Sequence, residues 1–203
     1  MAHALLVATT NAGKLREIRD ILRGVDVALR SLADVPPVAE PREDGETFAA
    51  NARDKAIAYA RATGLVTVAE DSGLEIDALD GAPGVRSARF PGETYPEKFA
   101  TIFRLLDERG RAGRTARFVC ALALAAPDGR VLFEARGTVE GEITREPRGE
   151  GGFGYDPVFF HPPLGLTLAE MPAGAKADVS HRAAAFRQLR AWLERDGGLA
   201  SGG

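Results

Sequence analysis

Val66-Thr67-Val68-Ala69-Glu70-Asp71-Ser72-Gly73-Leu74 is the stretch on which the fold turns. A β-branched run closes on two adjacent carboxylates and then on Ser72 and Gly73, the pattern of a strand that delivers acids to its own carboxyl edge. Open α/β sheets bind their ligands at such edges. Neighbouring carboxylates repel, so Glu70 and Asp71 belong either in water, as a solvated turn, or beside a cation or a shared proton. Other segments decide between these settings.

Upstream, Ala4 to Thr9 is apolar and opens into Thr9-Thr10-Asn11-Ala12-Gly13-Lys14, after which Leu15, Ile18 and Leu22 recur at helical spacing. That is strand, tight loop, helix. The loop reads either as a phosphate cradle, with helix N–H groups, dipole and the Lys14 charge facing an anion, or as a plain turn with a solvated lysine. It is not a Walker A loop, because Ala8 stands where the first Gly is needed and Leu15 where Ser or Thr would bind magnesium. Val25, Val27 and Leu29 alternate as a second strand, and Pro36-Pro37, Pro41 and Gly45 mark a loop that carries Glu40, Glu43 and Asp44. A long helix then runs from a Thr47 cap to a Gly64 stop. Asn51 and Lys55 fall within or beside its apolar stripe of Phe48, Ala52, Tyr59 and Ala60. Such groups either serve a ligand or, for Lys55, snorkel past the helix edge.

Downstream, Gly81-Ala82-Pro83-Gly84 turns the chain, and Phe99, Ile102, Phe103 and Leu106 predict a structural helix between Glu93 and Leu106. A β-meander follows: Ala116 to Ala125, a Pro127-Asp128-Gly129 turn, Val131 to Arg136, and Gly137 to Ile143. Strand-helix units succeeded by antiparallel strands predict an α/β fold with a mixed sheet. Gly149, Gly151 and Gly154 match the spacing of a dinucleotide fingerprint, but no strand leads in and Pro157 interrupts the helix that should follow. What remains is a glycine loop ending in Phe153, Tyr155 and Asp156, whose rings either stack on a planar base or plug the core beneath the loop. Ser180 caps a last helix, faced by Phe186, Leu189 and Leu193. His181 and Arg182 then occupy its first turn, the wrong end for cations unless an anion or a protein carboxylate is near.

The chain's 203 residues suffice for one sizeable core, and a net charge of -3 offers no general attraction for DNA or RNA. No apolar run is long enough to span a bilayer, and Met1 to Ala8 lacks the pattern of a cleaved leader, so a cytoplasmic protein without a membrane partner is expected. Cys120, the single cysteine, lies in the apolar run Phe118 to Leu122 as a packed structural thiol.

Separate segments thus supply acids (Glu43, Glu70, Asp71), cations (Lys14, Lys55, Lys176, Arg182) and rings (Phe153, Tyr155). Acids with cations point to a metal–polyphosphate complex, since magnesium is held by few carboxylates plus substrate phosphates. The rings add a nucleobase. No Gly-x-Ser-x-Gly elbow and no zinc-spaced His pair is present.

On these same blocks the chain resembles the inosine/xanthosine triphosphate pyrophosphatase family, enzymes that remove deaminated purine nucleotides. The resemblance is carried by Thr9-Thr10-Asn11-Ala12-Gly13-Lys14, by Glu46-Thr47-Phe48-Ala49-Ala50-Asn51-Ala52-Arg53-Asp54-Lys55-Ala56, and by Asp71-Ser72-Gly73-Leu74 with Gly81-Ala82-Pro83-Gly84-Val85 and Ser87-Ala88-Arg89-Phe90. Gly152-Phe153-Gly154-Tyr155-Asp156-Pro157 and Ser180-His181-Arg182 complete it. Glu70 stands where many bacterial members carry a second Asp, which keeps the charge.

The resemblance implies an elongated mixed α/β fold, two lobes with a nucleotide cleft between them, in a homodimer. It makes residues 1–196 a single two-lobed domain; the Gly-rich tail over 197–203 is expected from its own composition and terminal place to be disordered. It also implies Mg2+-dependent cleavage of ITP, dITP and XTP to the monophosphate and pyrophosphate. Carried onto this chain, Glu43 and Asp71 would hold the metal, and Asp71 would accept the proton of the attacking water. Thr9, Thr10, Asn11, Ala12, Gly13, Lys14 and Lys55 would hold the triphosphate, with Ser72 beside it. Phe153, Gly154, Tyr155, Asp156, Lys176, His181 and Arg182 would complete the nucleotide site, the last two facing the base. A nucleotide-binding module without turnover, and a phosphatase releasing orthophosphate, are the competing readings. The second is disfavoured by Gly73, where an Asp-x-Asp nucleophile motif needs its second acid.

Overall fold

The computed structural model describes residues 3–110, 113–195 and 199. Strand β1 (His3–Val7), helix α1 (Ala12–Ile21), strand β2 (Val27–Ser31), helix α2 (Phe48–Thr63) and strand β3 (Val66–Ile76) come first. Helix α3 (Tyr95–Glu108), strands β4 (Thr115–Ala125), β5 (Val131–Ile143), β6 (Phe159–His161) and β7 (Leu166–Thr167), and helices α4 (Ala173–Val179) and α5 (His181–Glu194) follow. Among the described residues the strands form one mixed sheet of order β2-β1-β3-β4-β5-β6-β7. β1 runs parallel to both β2 and β3, whereas β6 runs antiparallel to β5 and β7.

The helix boundaries have local causes. The Asn11 side chain, which the sequence did not single out as a cap, caps α1 by accepting the Lys14 N–H at 3.0 Å. Thr47 caps α2 through the Ala50 N–H at 3.1 Å, and Gly64 ends it in the left-handed conformation at φ 69°. With β2 on one side of β1 and β3 on the other, the chain order switches direction at β1. The carboxyl ends of β1 and β3 therefore flank the place where open α/β sheets take their ligands.

Two strands correct the sequence reading. β3 does not stop at Glu70-Asp71 but continues to Ile76. Leu74 and Ile76 are wholly buried, and the Leu74 N–H donates to Ser87 Oγ at 2.9 Å, so packing carries the backbone through a Ser-Gly pair that in isolation favours a turn. The two acids still stand at an edge, because pairing of β1 with β3 ends at Val68. β5 is likewise continuous through Gly137 rather than broken there. A Cβ on Gly137 would lie 2.2 Å from the His181 carbonyl oxygen and 2.5 Å from the Ala185 nitrogen, so the glycine admits the start of α5 against the strand. Gly137→Ala should destabilise the protein by about 1–3 kcal/mol, as overpacking does. Thermal unfolding checks this, and an unchanged midpoint would show that the helix yields freely.

The chain divides into two compact units: Met1–Asp71 with Cys120–Gly137 and His181–Gly203, and Ser72–Val119 with Thr138–Ser180. In the first, Leu5, Val7, Ile18, Val68, Leu122 and Phe186 pack as a core. The second has its own, with Leu74, Ile102, Phe118, Tyr155, Phe159 and Leu168. Of the Gly-rich tail 197–203, all but Leu199 lies outside the described residues. No described helix is long and apolar enough to cross a membrane.

Candidate active site

Alternation along β3 sends Glu70 and Asp71 to opposite faces, and their partners differ accordingly. Glu70, only 4% exposed, meets Lys14 Nζ at 2.8 Å and Arg182 Nη2 at 3.4 Å. The Cys120 thiol donates to its other oxygen at 3.2 Å. Arg182 is 2% exposed and also donates from Nη1 to Glu17 at 2.6 Å. Burial alone would raise the Glu70 pKa, but the Arg182 and Lys14 charges outweigh it and hold the carboxylate well below its usual range. Burial, reinforced by the Glu70 charge, pushes the Cys120 thiol well up, so Cys120 is a buried donor and not a nucleophile.

Asp71 faces α2. Its Oδ2 accepts from Asn51 Nδ2 at 2.8 Å, while Asn51 Oδ1 accepts from the Gly45 N–H at 2.8 Å, so one amide fastens the acidic loop and the strand carboxylate together. A Cβ on Gly45 would sit 2.6 Å from that amide oxygen, so no side chain fits there. Lys55 Nζ lies 2.5 Å from Glu43 Oε1 and 4.0 Å from Asp71 Oδ1. Burial works against the Lys55 charge, yet Glu43 and Asp71 raise its pKa, so it is an ammonium. Burial also raises the Asp71 pKa, against Lys55 and Asn51 and with the help of the Glu43 and Glu70 charges. Two adjacent carboxylates are thereby pushed in opposite directions, the arrangement that separates a proton acceptor from a fixed charge.

Glu43 and Asp71 both direct oxygens at one cationic point, now the Lys55 ammonium. Two hard oxygen donors suit magnesium, whose remaining ligands are ordinarily water and phosphate. Among the described residues no group of three or more His, Cys, Asp or Glu side chains forms a closed metal cage.

The second unit holds a separate cluster. Asp156, 3% exposed, accepts on Oδ2 from Lys176 Nζ and from the Phe153 N–H, each at 2.7 Å. A Cβ on Gly152 would lie 2.1 Å from that oxygen. The Lys176 ammonium also stands 4.6 Å from the centre of the half-buried Phe153 ring. Tyr155 is buried, its hydroxyl donating to the Ser87 carbonyl at 2.8 Å and its ring meeting Tyr95 edge-on at 5.3 Å. Of the two aromatic residues, Tyr155 therefore packs as core, and Phe153 is the one with an accessible surface.

A sequence model of the Ham1 family matches residues 5–192, nearly the whole chain. The chain belongs to the Ham1 family. This Ham1 chain is 48% identical over 187 residues to a dITP/XTP pyrophosphatase of Exiguobacterium sp., covering 92% of this chain and 95% of that protein. It is 49% identical over 190 residues to a dITP/XTP pyrophosphatase of Nostoc sp., covering 93% of each. Among solved structures, a HAM1 protein from Coxiella burnetii matches with a TM-score of 0.86 and 38% identity, over 94% of this chain and 98% of that one. The structure described as nucleoside-triphosphatase / dITP/XTP pyrophosphatase from Mycobacterium abscessus matches with a TM-score of 0.75 and 40% identity, over 94% and 99%.

Within this Ham1 fold, Thr9 to Lys14, Glu43, Lys55, Asp71, His181 and Arg182 lie in the first unit, and Ser72, Phe153, Gly154, Tyr155, Asp156 and Lys176 in the second. Direct contacts join Lys14 and Arg182 to Glu70, and Lys55 to Glu43 and Asp71. Thr9 turns inward on its own loop, its Oγ1 accepting the Asn11 N–H at 3.2 Å. Sequence reasoning left Asn51 and Glu17 out of the site. Asn51 had a visible signal, an amide in an apolar helical stripe; Glu17 had none, since its partner Arg182 is distant in sequence. Asn51→Ala should lower turnover about 10–100-fold by freeing Asp71, as loss of a group that orients a site carboxylate does. Steady-state kinetics beside the wild type checks this, and equal rates would show that Asp71 is held by other means.

Proposed function

We propose that the chain hydrolyses non-standard purine nucleoside triphosphates, dITP, XTP and ITP, to the monophosphate and pyrophosphate. The observation that carries this reading is the buried Asp71 carboxylate, oriented by Asn51 beside the Glu43–Lys55 pair in a Ham1 chain. Asp71 takes the proton of a water that attacks the α-phosphorus. The new P–O bond forms as the bond to the bridging oxygen breaks, and pyrophosphate leaves. Lys14 and Lys55 bring positive charge to the phosphates, which is worth most in a water-poor site. Glu43 and Asp71 would hold magnesium, which when bound would supply further charge neutralisation for the triphosphate.

Base choice follows from hydrogen-bond polarity. A donor facing the 6-position pairs with a 6-oxo purine and opposes a 6-amino one, which leaves buried groups unpaired at about 1–3 kcal/mol each. His181 and Arg182, at the start of α5, are the donors assigned to this task, and Glu17 and Glu70 fix the guanidinium's orientation. The protein acts in the cytoplasm as a homodimer. The test is to incubate it with dITP, XTP, ITP, GTP and ATP plus magnesium and to separate pyrophosphate from orthophosphate. Pyrophosphate from the first three is expected; orthophosphate as the sole product, or preference for ATP, would overturn the assignment.

A further inference from the structure

The first turn of α3 lies against the glycine loop, although the proposed reaction assigns it no part. That turn is fixed by a capping box. Thr94 Oγ1 accepts the Glu97 N–H at 3.4 Å, and the Glu97 carboxylate returns to the Thr94 and Glu93 N–H groups at 3.1 and 2.6 Å. Tyr95, 40% exposed, therefore projects from a rigid base.

Its phenol faces the loop. The ring meets Tyr155 edge-on at 5.3 Å and Phe99 at 6.2 Å. A Cβ on Gly154 would have Tyr95 Oη, Cζ and Cε1 as its three nearest atoms, at 3.5, 3.6 and 3.7 Å, so the phenol is the wall on which that residue rests. Gly152 and Gly154 both have positive φ, 70° and 66°, and neither has a side chain with which to hold the loop in place. The hold must come from neighbours.

Lys98, one turn further along α3 and only 7% exposed, donates its ammonium to the Ala88 carbonyl at 2.6 Å and stands over the Tyr95 ring, 5.0 Å from its centre. Next to Ala88, the Ser87 carbonyl accepts the Tyr155 hydroxyl, and Ser87 Oγ accepts the Leu74 N–H of β3 at 2.9 Å. Tyr95, Tyr155, Ser87, Ala88 and Lys98 thus form a closed ring of contacts. It is fastened to β3 at Ser87 and meets the glycine loop at Tyr95 and Tyr155.

We propose that Tyr95 is a positioning residue for the nucleotide: its ring holds the 152–156 loop in the shape that presents Phe153 to the substrate. This rests on the reading of that loop as part of the nucleotide site. A loop set in advance spares the substrate the cost of ordering it, so loss of the ring should weaken binding rather than slow the chemistry. The full chain is compared as wild type, Tyr95→Ala, Tyr95→Leu and Tyr95→Phe by steady-state kinetics with dITP and by hydrogen exchange at the Phe153 N–H, which is bonded to Asp156. In Tyr95→Ala, KM should rise about 5–20-fold with kcat within about threefold of the wild type, and exchange should quicken about tenfold. Tyr95→Leu keeps apolar bulk, should hold the fold if Tyr95→Ala does not, and should show the same two changes in smaller measure. Tyr95→Phe keeps the ring and should restore both readouts. Unchanged KM in the Ala and Leu variants, a loss confined to kcat, a raised KM without faster exchange, or a Phe variant that behaves like Ala would overturn the proposal. A wild type that releases no pyrophosphate from dITP would overturn the proposed reaction instead, and exchange alone would then decide whether Tyr95 holds the loop.

Discussion

Asp71→Asn should lower kcat by about 10²–10⁴-fold, the range lost when a positioned general base is removed, while nucleotide affinity measured without magnesium stays near that of the wild type. The substitution keeps size and shape. The amide oxygen can still accept from Asn51 Nδ2, so the strand and α2 remain fastened as they are across the 2.8 Å bond. What disappears is a negative charge and the capacity to take a proton. The phosphate-facing cations keep their main anchors, since Lys14 is held by Glu70 and Lys55 more closely by Glu43, at 2.5 Å, than by Asp71, at 4.0 Å. Single-turnover rates with dITP, beside equilibrium binding of the same nucleotide, separate the two effects. Wild-type turnover would remove Asp71 from the chemistry, and equal losses in binding and rate would make it a binding residue only.

The elements that carry this candidate site were largely legible in the sequence. Local rules of capping and periodicity placed α1, α2, α3 and α5, because each has its cap or its apolar stripe within a few residues. The acid doublet was visible for the same reason. Its division of labour was not, because what distinguishes Glu70 from Asp71 is contact with Lys14 and Arg182 on one face and with Asn51 and Lys55 on the other, and strand alternation alone does not say which face is which. The continuation of β3 past Gly73 and of β5 past Gly137 escaped for a related reason. In both, tertiary packing overrode a local turn signal: Leu74 and Ile76 are buried beyond the first glycine, and α5 lies against the second. The short β6, β7 and α4 offer too few residues for periodicity to register. Tyr155 looked equally suited to a base platform and to a core, and its burial, its ring contact with Tyr95 and the bond from its hydroxyl to the Ser87 carbonyl place it in the core here.

The partner of the doublet should matter most for stability. Glu70→Ala should destabilise the free protein by about 3 kcal/mol, toward the low end of what breaking a buried ion pair costs, because Arg182 retains Glu17. For a chain of this size that corresponds to a fall in Tm of roughly 6–12 °C. The physical cause is asymmetric. Arg182 is 2% exposed and cannot turn to water, so deleting one of its carboxylates leaves positive charge in a place where desolvation has already been incurred. Lys14, with a side chain 20% exposed, can instead rehydrate, and the Cys120 thiol is a weak donor whose loss costs little. Glu70→Gln should therefore fall between wild type and Glu70→Ala, since it keeps the volume and one acceptor oxygen but no charge. Urea unfolding without nucleotide or magnesium measures the order directly. A loss below about 1 kcal/mol for Glu70→Ala would mean that Glu17 alone balances Arg182, and would make Glu70 an anchor for Lys14 rather than a support of the fold.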